Sequence, residues 1–502
     1  MKYLLMAMIC SVSLEVVIIS MSVASGEATA PSACEICKCH TEYDVFTIDC
    51  SNRNLSTVPK NIPANVTTLI LTSNKIAELK VEDFSGTPNL TKLYLRKNML
   101  TVVPPDLFAN NQKLTDINLS GNKLRTIPET LFHHTPKLIR LSCSKNNLQE
   151  IPPDLFHSTQ LIERIHLQEN DIQYLPPGLF SHSRSVKEIY MSNNLLKHLN
   201  PDLFTNTSSL ETVFFSHNNL QEISPDLFHP TPSIEKVFLN NNSLTTLPES
   251  LFAFAKILYQ LNLSNNKLKS LPEKLFANTS KLISLNLSSN CLAYIPENLL
   301  PNTKKLQSLS FSSNMLESIP ERIFHSTPKL KSLDFVYNRL TELPRDLFAA
   351  VEELKYLQMS ANRIKILEKD LFRNVVLTNE MDLSNNSILS IPDGLFTSNE
   401  KSQLLKTLFL QRNKIRYIQK DAFKGLGELR LICLFDNQIE AIDSGAFSVE
   451  SLKKIFLFKN NLQQITNISF SNSSLSEIHL YGNNITNITS NATEGLLSQP
   501  IW

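Results

Sequence analysis

Residues Leu258–Leu268 read LYQLNLSNNKL, and 24 positions later Leu282–Leu292 read LISLNLSSNCL. Leu114–Leu124 reads LTDINLSGNKL. All three follow L-x-x-L-x-L-x-x-N-x-L, and the Asn of that pattern sets a period for most of the chain. It stands at Asn74, Asn98, Asn122, Asn146, Asn170, Asn194 and Asn218, then Asn242, Asn266, Asn290, Asn314, Asn338, Asn362 and Asn386, at a constant step of 24. Asn413, Asn437, Asn460 and Asn483 follow at steps of 27, 24, 23 and 23, which makes 18 repeats. In each, L-x-L predicts a short strand with its leucines inward and x outward. Successive strands stack in parallel ~4.8 Å apart, so seventeen steps predict a ribbon of ~80 Å. The Asn amide sits where the chain leaves the strand and can satisfy backbone groups that would otherwise be buried and unpaired.

The other half of the repeat is as regular. Phe stands ten residues after the Asn, from Phe84, Phe108 and Phe132 to Phe470, in sixteen of the first seventeen repeats; Leu300 is the exception. These rings predict a stacked spine on the convex side. An apolar residue lies five after the Asn (Ile127, Ile151, Leu343), and Pro often follows it (Pro104, Pro128, Pro152, Pro176). Proline there favours extended or turn-like backbone over a full helix. The Leu, Phe and Asn set is scaffold.

The repeat resembles the extracellular leucine-rich repeat proteins of the 24-residue typical class, which include Toll-receptor ectodomains and Slit-like proteins. The resemblance covers about residues 34–489. It implies an α/β leucine-rich repeat solenoid with a curved parallel β-sheet on the concave face, an irregular or short-helical convex side and a disulfide N-terminal cap. Cys34, Cys37, Cys39 and Cys50 are spaced C-x2-C-x-C-x10-C just before the first repeat. Four close cysteines can hold zinc, but behind a secretory leader they read as disulfides, with three connectivities open. The resemblance implies the pairs Cys34–Cys39 and Cys37–Cys50. Of the remaining mature cysteines, Cys143 stands at a core leucine position and Cys291 follows the Asn290 turn. Cys433 is an outward strand residue, most simply an unreactive, partly covered thiol, with an intermolecular bond or a reactive free thiol as the alternatives.

The sequence divides into a signal peptide (1–24), a linker (25–33), the cysteine-rich cap (34–63), the repeats (64–489) and a short tail (490–502). Lys2 precedes an apolar stretch broken by Glu15, and Ser22 and Ala24 suit a cleavage site. No later stretch is apolar and long enough to span a bilayer, so the expected location is extracellular, or the cell surface if the chain is part of a receptor. A second four-cysteine cap, common in the family, is missing after the eighteenth repeat. The chain is then either a fragment or protects that end with its tail and glycans. Sequons stand at Asn54, Asn65, Asn89, Asn118, Asn206, Asn241, Asn262, Asn278, Asn286, Asn385, Asn467, Asn472, Asn484, Asn487 and Asn491, and the five in 467–491 are expected to shield the strand edge.

With 48 Lys and Arg against 47 Asp and Glu, the net charge is +1, which argues against bulk binding of nucleic acid. The outward x positions carry two aromatic clusters that could bind a ligand. Tyr190, Phe214 and Phe238 are consecutive, with His166 before them and His217 beside them. Phe409 and Phe456 form the second, with Phe435, Phe458 and Tyr481 on neighbouring positions. Contiguous exposed aromatics suggest a binding hot spot; side-by-side packing between strands is the alternative. Basic residues gather at Lys92, Arg96, Lys97, Arg140 and Lys145, and again at Lys406, Arg412, Arg430, Lys453, Lys454 and Lys459, as solubilising charge or as contacts for sulfated glycans or anionic partners. His133, His157, His229 and His325 share one register, most simply a tolerant surface position. The catalytic motifs G-x-S-x-G, H-E-x-x-H, the P-loop and the dinucleotide fingerprint are missing. The expectation is a secreted, glycosylated recognition protein without enzymatic activity, cofactor or metal. It would bind a protein or glycan on its concave face, in innate immunity like Toll ectodomains or in extracellular matrix and adhesion. A truncated receptor ectodomain, and a dimer, are compatible with either. A bend is expected near Thr397–Leu404, where the 27-residue step falls.

Overall fold

The computed structural model describes residues 32–397, 403–465 and 475–488. The signal peptide, most of the linker, Phe470, the tail and the acceptors Asn467, Asn472 and Asn491 lie outside the described residues. The chain begins with a single turn of helix, Ala33–Ile36, and an antiparallel hairpin of Lys38–Glu42 with Val45–Asp49. Cys34 is bonded to Cys39 and Cys37 to Cys50, the pairing implied by the resemblance. The second hairpin strand pairs in parallel with Thr68–Ile70, so the cap covers the first edge of the solenoid. Each repeat then adds one parallel strand, and one sheet of 20 strands runs through to Glu477–His479. Leu69, Leu93 and Ile117 lie side by side in register, as do their counterparts along the chain.

Three residues per strand suffice because the ladder asparagines carry the turn. Asn266 is buried. Its Nδ2 donates to Leu263 O within its repeat and to Leu239 O of the preceding one, each at 3.0 Å. Its Oδ1 accepts from Leu244 N at 3.0 Å. One side chain thus ties two repeats together, and Asn98, Asn122 and Asn146 do the same. The residue before each ladder Asn has positive φ in all eighteen repeats, between 52° and 70°, and only Gly121 and Gly482 among them are glycine. This left-handed step turns the chain off the strand.

The convex side is irregular, with one turn of helix at Glu82–Ser85 and one 3-10 turn at Pro201–Phe204. The spine phenylalanines are fully buried, and neighbouring rings lie 5.3–6.4 Å apart. Stacked rings on the opposite, outward face of the sheet are only 4.2–4.6 Å apart. Repeats crowd at the sheet and spread at the spine, so the sheet lines the inside of the arc. Eight buried threonines three residues after the spine position, Thr87 to Thr327, donate Oγ1 to the carbonyl of the spine residue at 2.7–3.3 Å. Leu300 leaves a gap in the ring stack. Phe204 meets Phe215 at 6.3 Å, and residues 300 and 311 are the equivalent pair, so Phe311 adds volume beside the smaller Leu300.

The 27-residue step does not interrupt the sheet: Glu380, Met381 and Asp382 pair with Thr407, Leu408 and Phe409. The irregularity lies earlier, in two long strands, Glu353–Gln358 and Val376–Asp382, whose register shifts between Leu354 and Tyr356. Buried Gln403 serves the added backbone, accepting from Leu377 N at 2.7 Å and donating to Val375 O at 3.1 Å. Residues 398–402 of the expected bend lie outside the described residues. Beyond it a second small sheet appears, Tyr417–Ile418 with Ala441–Ile442, where Asp443 N donates to Ile418 O at 2.9 Å. Most earlier repeats carry Pro at the position of Asp443 and have no such N–H to give.

Candidate ligand-binding face

The outward positions of the strands form a continuous surface, and its first aromatic group is a ladder. His166 stacks on Tyr190 at 4.2 Å, Tyr190 on Phe214 at 4.6 Å and Phe214 on Phe238 at 4.6 Å, with planes within 12°. Adjacent strands are in register here, so the pleat itself sets the stacking distance. The four rings are half-buried. The sequence predicts exposed rings; stacking instead turns most ring faces against one another and leaves the edges outward. His217 is not part of this ladder. It occupies the left-handed turn position, and its Nε2 lies 3.2 Å from Asn241 Nδ2.

Charges flanking the first rungs of the ladder are paired from one rung to the next. Arg164 meets Glu188 at 3.3 Å and Lys187 meets Glu163 at 3.1 Å. Tyr190 donates its hydroxyl to Glu188 at 2.8 Å, and burial together with that carboxylate pushes the phenol up to about 12. Burial holds the His166 imidazole below its usual range. Before the ladder, Tyr94, Asp116, Asn118, Arg140, Ser142 and His166 line a depression of about 480 Å³, with Arg140 on Asp116 at 2.5 Å as one wall.

The second group lies on the last described strands and forms two columns. Phe435, Phe458 and Tyr481 stack at 4.4 and 4.5 Å. Alongside them, Phe409, Cys433, Phe456 and His479 occupy successive rungs, with Phe456 and His479 at 4.7 Å. Cys433 is not an open thiol. It is 5% exposed, and burial, aided by Asp382, pushes it up to about 12. Buried Cys143 is likewise pushed up to about 12, and only Cys291 of the three is partly exposed.

None of the twelve acceptor asparagines within the described residues is buried. Asn118, Asn262 and Asn286 sit on the sheet face, and each Oδ1 accepts from the backbone N–H of its own sequon serine at 3.0 Å. On the convex side, the close imidazoles are His157 and His182, at 4.3 Å. Among the described residues, no group of three or more His, Cys, Asp or Glu side chains is placed to hold a metal ion, and no helix is long and apolar enough to cross a membrane. Sequence reading missed the left-handed column and the threonine series. Their signals were the Asn and Gly residues recurring before the ladder Asn and the Thr recurring thirteen residues after it.

A family model described as BspA type Leucine rich repeat region matches in six copies, over residues 101–235, 173–294 and 221–355. A second, described as Leucine rich repeat, matches residues 64–124, 328–388 and 377–439. A stretch of 53 residues is 42% identical to Biglycan of Xenopus laevis, covering 11% of this chain and 13% of that protein. Another of 51 residues is 43% identical to the Peroxidasin homolog of Caenorhabditis briggsae, covering 10% of this chain and 4% of that protein. Both matches therefore span a small part of their relatives. Among solved structures, a chain of the Drosophila Toll–Spatzle complex superposes with a TM-score of 0.67 at 22% identity, over 82% of this chain and 61% of that one. YopM from Yersinia enterocolitica gives 0.57 at 20% identity, over 90% of each chain. The leucine-rich repeat domain of APL1B gives 0.51 at 26% identity, over 61% of this chain and 87% of that one.

Proposed function

The chain belongs to the leucine-rich repeat family, and from that premise we propose that it is a secreted, glycosylated recognition protein that binds a protein partner across the concave face of its sheet. The observation that carries the reading is the ladder His166–Tyr190–Phe214–Phe238. It is a continuous aromatic row on the sheet face, with neutralised charge pairs beside it and a depression at one end. Half-buried aromatics ringed by polar groups are the usual anchors of protein interfaces. The resemblance to Toll-like ectodomains supports innate immune recognition as the finer role. A role in extracellular matrix or adhesion is the rival reading. The same face would serve if the chain is the ectodomain of a receptor.

A binding panel separates these roles: microbial products on one side, collagen and cell-surface proteins on the other. Once a partner is found, Phe214→Ser with Phe238→Ser should weaken it by at least tenfold, since loss of two anchors removes about 2 kcal/mol or more. Unchanged affinity in a folded double variant removes the ladder from the site.

A further inference from the structure

On the outward positions of the strands Thr407–Phe409, Leu431–Cys433 and Lys454–Phe456, including the residue that enters each strand and the turn that leaves it, there are six cations and one carboxylate. The cations are Lys406, Arg412, Arg430, Lys453, Lys454 and Lys459, and the carboxylate is Asp436. The whole chain carries a net charge of only +1. The charge is also ordered. Lys406, Arg430 and Lys453 enter successive strands and are joined rung to rung, Arg430 N donating to Lys406 O and Lys453 N to Arg430 O, each at 2.9 Å. All three are exposed, and none is in an ion pair among the described residues. Like charges on neighbouring strands destabilise a sheet. Elsewhere in this entry column like charges run for at most two rungs, Glu211 with Glu235 and Lys331 with Lys355, and opposite charges pair, as in Glu163 with Lys187.

Between the cationic rims lie the two aromatic columns. Arg412, held by Asp436 at 3.6 Å, and Lys459 stand on the opposite rim from the Lys406 column. Lys454 is paired as well, with Glu477 at 2.6 Å. The stacked rings of Phe435, Phe458 and Tyr481 turn their edges outward, and aromatic edges carry the positive end of the ring quadrupole. Rims and centre therefore favour the same sign of charge in a partner.

We propose that this surface is a second binding site, separate from the ladder at His166–Phe238, and that its ligand is a linear sulfated polysaccharide. The proposal rests on the reading of the concave face as the recognition surface. A column of one cation per rung fits a polymer whose anionic groups recur at a regular interval, and the outward ring edges favour the same anionic oxygens. An acidic protein would need a matching column of its own.

The test is binding of the full chain to immobilised heparin across a salt series, with poly-glutamate as competitor. The variant replaces Lys406→Ser, Arg430→Ser and Lys453→Ser. A control with the same change in net charge replaces Arg164→Ser, Lys187→Ser and Lys236→Ser. The native chain should bind, with affinity falling steeply with salt. The first variant should lose at least tenfold in affinity and roughly one unit of log–log salt slope for each cation removed, and the control should keep both. No heparin binding by the native chain, or equal loss in both variants, overturns the site. Competition by poly-glutamate as strong as that by a soluble sulfated oligosaccharide overturns the polysaccharide and assigns the surface to an acidic protein. Phe214→Ser with Phe238→Ser should leave heparin binding intact, so failure of the ladder as a protein site reads out separately.

Discussion

At the scale of single residues, the ladder makes His166 a pH reporter. Its imidazole is enclosed by Tyr190 and the neighbouring rung, and burial, the largest influence, lowers its affinity for a proton below the ordinary value of 6.5. The unfolded chain therefore takes up a proton at a higher pH than the folded chain does. The stability this group contributes is complete above pH 6.5 and is lost as the pH falls from there through the lower folded value. Chemical denaturation between pH 7.5 and 5 should show stability declining with acidity, and His166→Gln should flatten part of that slope. An identical slope in the variant would mean the ring is effectively solvated. The alignment of His166, Tyr190, Phe214 and Phe238 on one face was legible in the sequence because L-x-L fixes which way each x points. Their half-burial was not, because it depends on ring rotation that only adjacent strands determine. Cys433 is covered as the unreactive-thiol reading expects, and more fully, since its cover comes from neighbouring rungs rather than from its own position in the pattern.

At the scale of the element, the strand is three residues long and cannot stand without the Asn that ends it. Removing the Asn266 amide leaves Leu239 O, Leu263 O and Leu244 N without their side-chain partner in a buried setting. Each such group costs about 1–3 kcal/mol when left unsatisfied, so Asn266→Ala should destabilise its neighbourhood by roughly 3 kcal/mol or more, measurable by urea denaturation. Asn266→Asp is the informative companion. It keeps an acceptor for Leu244 N but loses both donors, and it should recover only a minor part of the loss. If both variants match the native chain, water replaces the amide and the ladder is decorative. This element was readable from its spacing alone. The small second sheet at Tyr417–Ile418 was not, because it arises from the missing prolines of the late repeats, a negative signal that matters only once the convex segments lie side by side.

At the scale of the molecule, every strand of the main sheet from Thr68–Ile70 to Lys454–Phe456 bonds to the sheet strand before it and the sheet strand after it. The Asn ladder and the Phe spine also act between adjacent repeats. Stability in such an array is a sum of local terms rather than the property of one closed core. The disulfide cap holds the first repeats from one side, while the two long strands at Glu353–Gln358 and Val376–Asp382 give the later part its own enlarged interface. A lesion in the middle should therefore stay in the middle. Hydrogen exchange of Asn266→Ala should show lost protection across Leu239–Leu292, while amides of the strands from Lys92–Tyr94 to Glu188–Tyr190 and from Ser332–Asp334 to Leu431–Cys433 keep native rates. Uniform loss along the chain would instead mean that the solenoid unfolds as one cooperative unit. In that case a lesion at the ladder of His166–Phe238 would also unfold the cationic platform beyond Lys406, and the two sites could not be lost separately.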